Sequence, residues 1–71
     1  VMISAGFDAH RDDPLGGLQL VEADYAWITA ALARIAKCHA KGRVVSTLEG
    51  GYDLDALAAS VGAHVGALMA A

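Results

Sequence analysis

Apolar residues fall along this chain in two rhythms, and the switches between them mark out four elements. Residues 1–5 form a short β-branched and apolar run without alternation, ended by Gly6, as expected of a strand buried on both faces. From Glu22 to about Ala40 the positions Tyr25, Ile28, Leu32, Ile35 and His39 recur at three- and four-residue steps, which predicts a helix. Glu22 and Asp24 suit its first turn, Lys37 and Lys41 its last, and Gly42 its stop. Residues 43–48 repeat the strand form. Asp53 is placed to cap a second helix, in which Leu54, Leu57, Ala58, Val61, Val65 and Leu68 make one apolar face. Gly62 and Gly66 lie one turn apart within it, each costing about 1 kcal/mol relative to Ala, so a closely packed neighbour is expected there.

The order strand, helix, strand, helix predicts an α/β unit with two parallel strands joined by a right-handed crossover. Two strands cannot cover both of their own faces, so further sheet is expected upstream. Loops at the carboxyl ends of neighbouring parallel strands open into one crevice, where α/β proteins bind ligands. One such loop runs from Asp8 to Gly17, about ten residues where two to six are usual, and its length suggests a function. The other is Leu48-Glu49-Gly50-Gly51-Tyr52-Asp53. Asp8 and Tyr52 are therefore expected to face one cavity.

Composition changes this picture in one respect. The chain has 71 residues, 56% of them hydrophobic and only 18% charged. A unit this short buries only about 60% of its unfolded surface and is marginal alone. A piece of a larger domain explains so apolar a composition better, and the opening run Val1-Met2-Ile3 looks cut. A net charge of −3 without a basic cluster argues against direct nucleic-acid binding. No run approaches the roughly 18 apolar residues of a membrane span. The single cysteine, Cys38, is expected as a half-buried helix residue and suits a reducing, cytoplasmic setting.

Asp8 stands at a strand end, where the sheet can hold a carboxylate rigidly. Ionised, it only accepts, so it suits a cation or an orienting role; on spacing alone, a turn-forming or helix-capping aspartate is the readier account. His10 completes an Asp-Ala-His triplet whose spacing permits co-ligation without requiring it, and a solvent-facing loop histidine is expected. His39 and His64 are expected at the surface or at helix ends. Tyr52 follows two glycines that let the backbone turn sharply toward a ligand. Its phenol can donate a hydrogen bond to developing negative charge, or it can simply pack at the turn. The Gly-Gly pair carries neither a GxGxxG nor a Walker spacing.

Together, SAGFDAHRDDPLGG at residues 4–17 and STLEGGYDL at residues 46–54 closely resemble the histone deacetylase and acetylpolyamine amidohydrolase family, in its class II-like and bacterial branch. The resemblance covers essentially the whole chain and corresponds to the C-terminal part of the family's catalytic domain. It implies an arginase-like three-layer α/β/α fold around a mainly parallel sheet. The activity it implies is zinc-dependent hydrolysis of acetylated amines, with acetyl-lysine or acetylated polyamines as substrates. By that resemblance Asp8 matches a Zn2+ ligand and Tyr52 the hydroxyl that helps hold the oxyanion. Leu15 matches a wall of the acyl-lysine tunnel, and Gly50 and Gly51 the glycine-rich loop beside it.

The family's paired histidines and its Asp-x-His zinc motif have no counterpart in these residues. Asp8-Ala9-His10 imitates that motif by letter only, so His10 receives no ligand role. With one ligand of three, the piece by itself is expected to bind zinc poorly and to be inactive. The rival reading is a non-catalytic scaffold or interaction module, whose sheet edge and apolar helix faces would meet another chain, a second copy in an oligomer included.

Overall fold

The computed structural model describes residues 1–14 and 16–71. Its elements are β1 (Met2–Gly6), α1 (Glu22–His39), β2 (Val45–Gly50) and α2 (Leu54–Met69). Both strands lie further along the chain than expected and run into the glycines thought to end or follow them. Glycine lacks a side chain but keeps both ladder groups, so it extends a strand at a cost in entropy only.

The strands pair in parallel, Met2 opposite Val45 and Ala5 opposite Leu48, after which the register slips and Gly6 lies opposite Gly50. Glu49 is left between two rungs, a bulge in β2 of the kind that bends a strand and re-aims the residues beyond it. Past the bulge the ladder continues, with the Phe7 N–H donating to the Gly50 carbonyl at 2.7 Å. The crossover between the strands contains an 18-residue helix, ample for a parallel connection.

Helix α1 starts at Val21, which has no side-chain oxygen to cap with. Asp24 compensates by accepting the Val21 N–H at 2.8 Å. At the other end the Ala40 and Gly42 amides both donate to the Ala36 carbonyl, and Lys41 and Gly42 take left-handed φ values of 54° and 76°. That geometry stops the helix where the glycine predicted it. In α2, Asp53 caps as expected, its Oδ2 accepting from the Ala56 N–H at 3.1 Å.

The buried faces differ from the expected stripes. In α1 the buried residues are Tyr25, Thr29, Ala33 and Ala36, while Ile28 and Ile35 are exposed. In α2 they are Ala56, Ser60 and His64; Leu57 and Val61 pack against the core as expected, but Leu54 and Val65 are exposed. The helices pack closely on each other, while Tyr25, Leu57 and Val61 reach the strand residues of the core. Hydrophobicity alone points to the flanks of the buried faces. Gly62 and Gly66 take no part, since a Cβ at either would meet no described atom within 4 Å. Cys38 is exposed rather than half-buried.

The core joins Ala5, Phe7 and Tyr25, with Ile3, Leu20, Leu57 and Val61 against them. The Phe7 ring meets Tyr25 edge-on at 5.0 Å and His64 at 5.9 Å. His64 is buried, contrary to its expected surface position. Its Nδ1 lies 2.7 Å from Thr29 Oγ1 and its Nε2 2.9 Å from Ser46 Oγ, so one imidazole ties α1, β2 and α2 together. Two hydroxyls can each donate or accept, so a neutral ring is satisfied in either tautomer. The sheet face away from this core carries Met2 and Val45, both exposed and paired in register. Among the described residues no helix is long and apolar enough to cross a membrane.

Burial pushes the His64 pKa below its ordinary value of 6.5. The unfolded chain then takes up a proton at a higher pH than the folded chain. Stability from this site is complete above 6.5 and declines as pH falls through that value and on through the depressed folded one. Urea midpoints are expected to drop between about pH 7.5 and about pH 5.5, and His64→Gln is expected to flatten that drop. Equal pH slopes for the two proteins would remove His64 as the source.

Candidate active site

Parallel pairing brings the carboxyl ends of β1 and β2 side by side, and a cavity of about 330 Å³ opens there, lined by Ser4, Gly6, Asp8, Glu49, Gly50 and Tyr52. The two candidate residues, contributed by separate loops, thus border one space. A larger hollow of about 840 Å³ lies between the far ends of α1 and α2, lined in part by Arg34, Lys37 and Lys41, and includes none of the sequence-predicted site residues.

Asp8 is half-buried, and its carboxylate rests against the last rung of the ladder. A Cβ at Gly50 would lie 3.0 Å from Asp8 Cγ and Oδ1, and one at Gly6 3.2 Å from Oδ1. The paired glycines therefore form the dent that seats this side chain. Gly51 serves differently: its φ of +137° turns the chain, and a Cβ there would come within 2.8 Å of Leu57 Cδ1 and 3.2 Å of Phe7 Cβ. Gly50 lines the cavity while Gly51 shapes the turn behind it. Tyr52 is 53% exposed.

The long first loop is fastened at several points. The Arg11 N–H donates to the Leu20 carbonyl at 2.8 Å, and the Leu20 N–H donates to the Ala9 carbonyl at 3.0 Å. His10 is 2% exposed and therefore a core residue of the loop, not a solvent-facing one. The Asp12 N–H donates to His10 Nδ1 at 3.1 Å, so Nε2 carries the proton and donates to Glu22 Oε1 at 3.0 Å. That pairing anchors the loop to the first turn of α1. A backbone hydrogen bond and then His10 hold the Glu22 carboxyl below its usual range. Tyr25 lies behind the loop, its phenol pKa raised by burial and by the charges of Asp8 and Asp13, so it stays protonated.

Asp13 is 6% exposed; its Oδ1 accepts the Gly16 N–H at 3.1 Å and its Oδ2 the Tyr52 N–H at 2.6 Å. Sequence reasoning gave it no site role. Ser4, Gly6 and Glu49 were also missed as cavity residues. Strand alternation could have marked Ser4, but nothing local announces a bulge at Glu49. Leu15, expected on a tunnel wall, lies outside the described residues. His39 is exposed, as expected.

The Asp8 carboxylate is an oxygen donor suited to one position in a zinc site. Among the described residues, no group of three His, Cys, Asp or Glu side chains is gathered to hold a metal.

An α/β crevice with a seated carboxylate and a phenol on adjacent strand ends now has its family. The model of the histone deacetylase domain matches residues 1–68, and the chain belongs to the histone deacetylase family. It is 50% identical over 68 residues to type-2 histone deacetylase 1 of Dictyostelium discoideum, an alignment covering 96% of this chain and 5% of that protein. Human polyamine deacetylase HDAC10 is 44% identical over 61 residues, covering 86% of this chain and 8% of its own. The crystal structure of the HDA15 HD domain superposes with a TM-score of 0.89 at 40% identity, covering 99% of this chain and 18% of that one. The chain thus spans a small part of the relatives it matches, and its β-α-β-α fold is that of a segment of their domain.

Two adjacent glycines test the packing of the first loop. A Cβ at Gly16 would overlap the Asp8 carbonyl oxygen, whereas at Gly17, with φ +69°, it would meet nothing within 4 Å. Gly17→Ala is expected to cost about 1–2 kcal/mol, the ordinary left-handed penalty, and Gly16→Ala clearly more. Thermal denaturation of the complete protein checks the order; equal losses would mean that the loop does not lie on Asp8.

Proposed function

We propose that this chain is a C-terminal segment of the catalytic domain of a zinc-dependent deacetylase that removes acetyl groups from acetyl-lysine or acetylated polyamines. The observation carrying this reading is the single cavity bordered by Asp8 and Tyr52 in a chain of the histone deacetylase family. The complete domain is proposed to be an arginase-like three-layer α/β/α fold, and the bacterial branch is our proposal from the wording of the two loops. A relative named as a polyamine deacetylase supports keeping polyamines beside acetyl-lysine as the substrate class. An unpaired, exposed Cys38 suits the cytoplasm, where we place the protein.

Zinc, when bound, supplies Lewis-acid polarisation of the acetamide carbonyl and lowers the pKa of a coordinated water. Asp8 is proposed as one of its ligands. Seated against Gly6 and Gly50, the carboxylate has little freedom to swing, which lowers the entropy lost on coordination. Tyr52 is proposed to donate its O–H to the carbonyl oxygen as negative charge builds there, a contact that strengthens in the transition state. Leu15 and Gly50 are proposed to border the tunnel that admits the acetylated side chain, with Gly51 in the glycine-rich turn beside it. Histidines for proton transfer and the remaining ligands would come from the rest of the complete domain, so this segment alone is expected to be inactive. The rival account, an interaction module, draws on the exposed Met2 and Val45 of the open sheet face and on Trp27 of α1.

In the complete protein, Tyr52→Phe is expected to lower kcat on an acetyl-lysine peptide by about 10² to 10³ while keeping zinc content, as loss of one oxyanion donor does. Wild-type turnover would defeat the assignment. Asp8→Asn is expected to reduce the zinc retained after dialysis, measured by elemental analysis. Full occupancy in that variant would count against ligation, and an active wild type would by itself dismiss the pure scaffold.

A further inference from the structure

We propose that Asp13 is the positioning residue for Tyr52: its buried carboxylate, fixed on one side by the Gly16 amide, holds the Tyr52 backbone N–H and so sets where the phenol stands. The inference rests on the reading of Tyr52 as the oxyanion donor and adds to it a residue outside the cavity.

Tyr52 needs such a device. With the side chain half in solvent, ring packing does little to fix it, and the preceding Gly50 and Gly51 give the backbone wide freedom. What restrains it is the 2.6 Å bond to Asp13 Oδ2, from a residue 39 positions away in sequence. Hydrogen bonds to an ionised carboxylate are short and roughly twice as strong as neutral ones. The restraint is transmitted onward, because Asp13 sits in a loop tied to α1 through His10 and Glu22. On the other side of Tyr52, Asp53 caps α2. The tyrosine is thus held between two carboxylates, one borrowed from the first loop and one its own neighbour. A donor that must meet an oxyanion is sensitive to errors of about 1 Å, which can cost 10²-fold in rate.

The test uses the complete, zinc-loaded protein and an acetyl-lysine peptide. Asp13→Asn retains the size of the side chain but offers one acceptor oxygen for two amides. It is expected to lower kcat by about 10- to 100-fold with KM changed less than about twofold and zinc content unchanged. In a Tyr52→Phe background the same substitution is expected to cost nothing further, because the group being aimed is gone. An equal loss in both backgrounds would show that Asp13 acts elsewhere and would overturn the inference. Wild-type kcat in Asp13→Asn, with Tyr52→Phe impaired, would overturn it and leave the tyrosine's role standing. Wild-type kcat in Tyr52→Phe would remove that role and this inference together.

Hydrogen exchange gives a readout independent of turnover. In the wild type the Tyr52 amide is expected to be protected, and rapid exchange there would overturn the proposal. In Asp13→Ser, which keeps a short acceptor for Gly16 but has no second oxygen, exchange across residues 50–53 is expected to rise at least about tenfold while α1 stays protected. Unchanged exchange in that segment would equally overturn it.

Discussion

The last rung of the parallel ladder joins two glycines, Gly6 and Gly50, and the arrangement of the candidate site follows from that pairing. Any larger residue at either position would push into the Asp8 carboxylate. The same rung fixes the relative height of the two strand ends, so that the loops leaving them border a common cavity. Sheet hydrogen bonding, a backbone property, thereby becomes the ruler that sets the spacing between two side chains.

The first loop is long because it has two duties. It carries Asp8 at its start, and it reaches across to the second loop through Asp13 before returning to α1. A minimal βα connection would supply the first and not the second. Its internal fastenings, His10 on Glu22 and Leu20 on Ala9 and Arg11, make a stretch without regular secondary structure stiff enough to act as a brace.

Much of this was legible in the sequence. Element order and the starts of the helices followed from periodicity, from the acidic first turn at Glu22 and Asp24, and from the Asp53 cap, since helix-end charge and capping are local chemistry. The resemblance marked the chain by two short blocks. The buried faces were not legible, because the buried helix positions hold small residues such as Ala33, Ala36 and Ser60, whereas periodicity counts large apolar ones such as Ile35 and Leu54. Histidines were misjudged for a related reason. His10 and His64 are buried because partners distant in sequence, Glu22, Thr29 and Ser46, satisfy their ring nitrogens, and no local pattern reports such partners.

The bulge at Glu49 puts the two halves of the second loop-bearing strand out of phase. Upstream of it, side chains alternate between helix layer and far face in step with β1; downstream, the alternation restarts one residue late. The fold has in effect a clutch between its framework and its working end. Side chains such as Ser46 answer to the packing of the helices, while Gly50 to Tyr52 answer to the crevice, and either set can change without turning the other over.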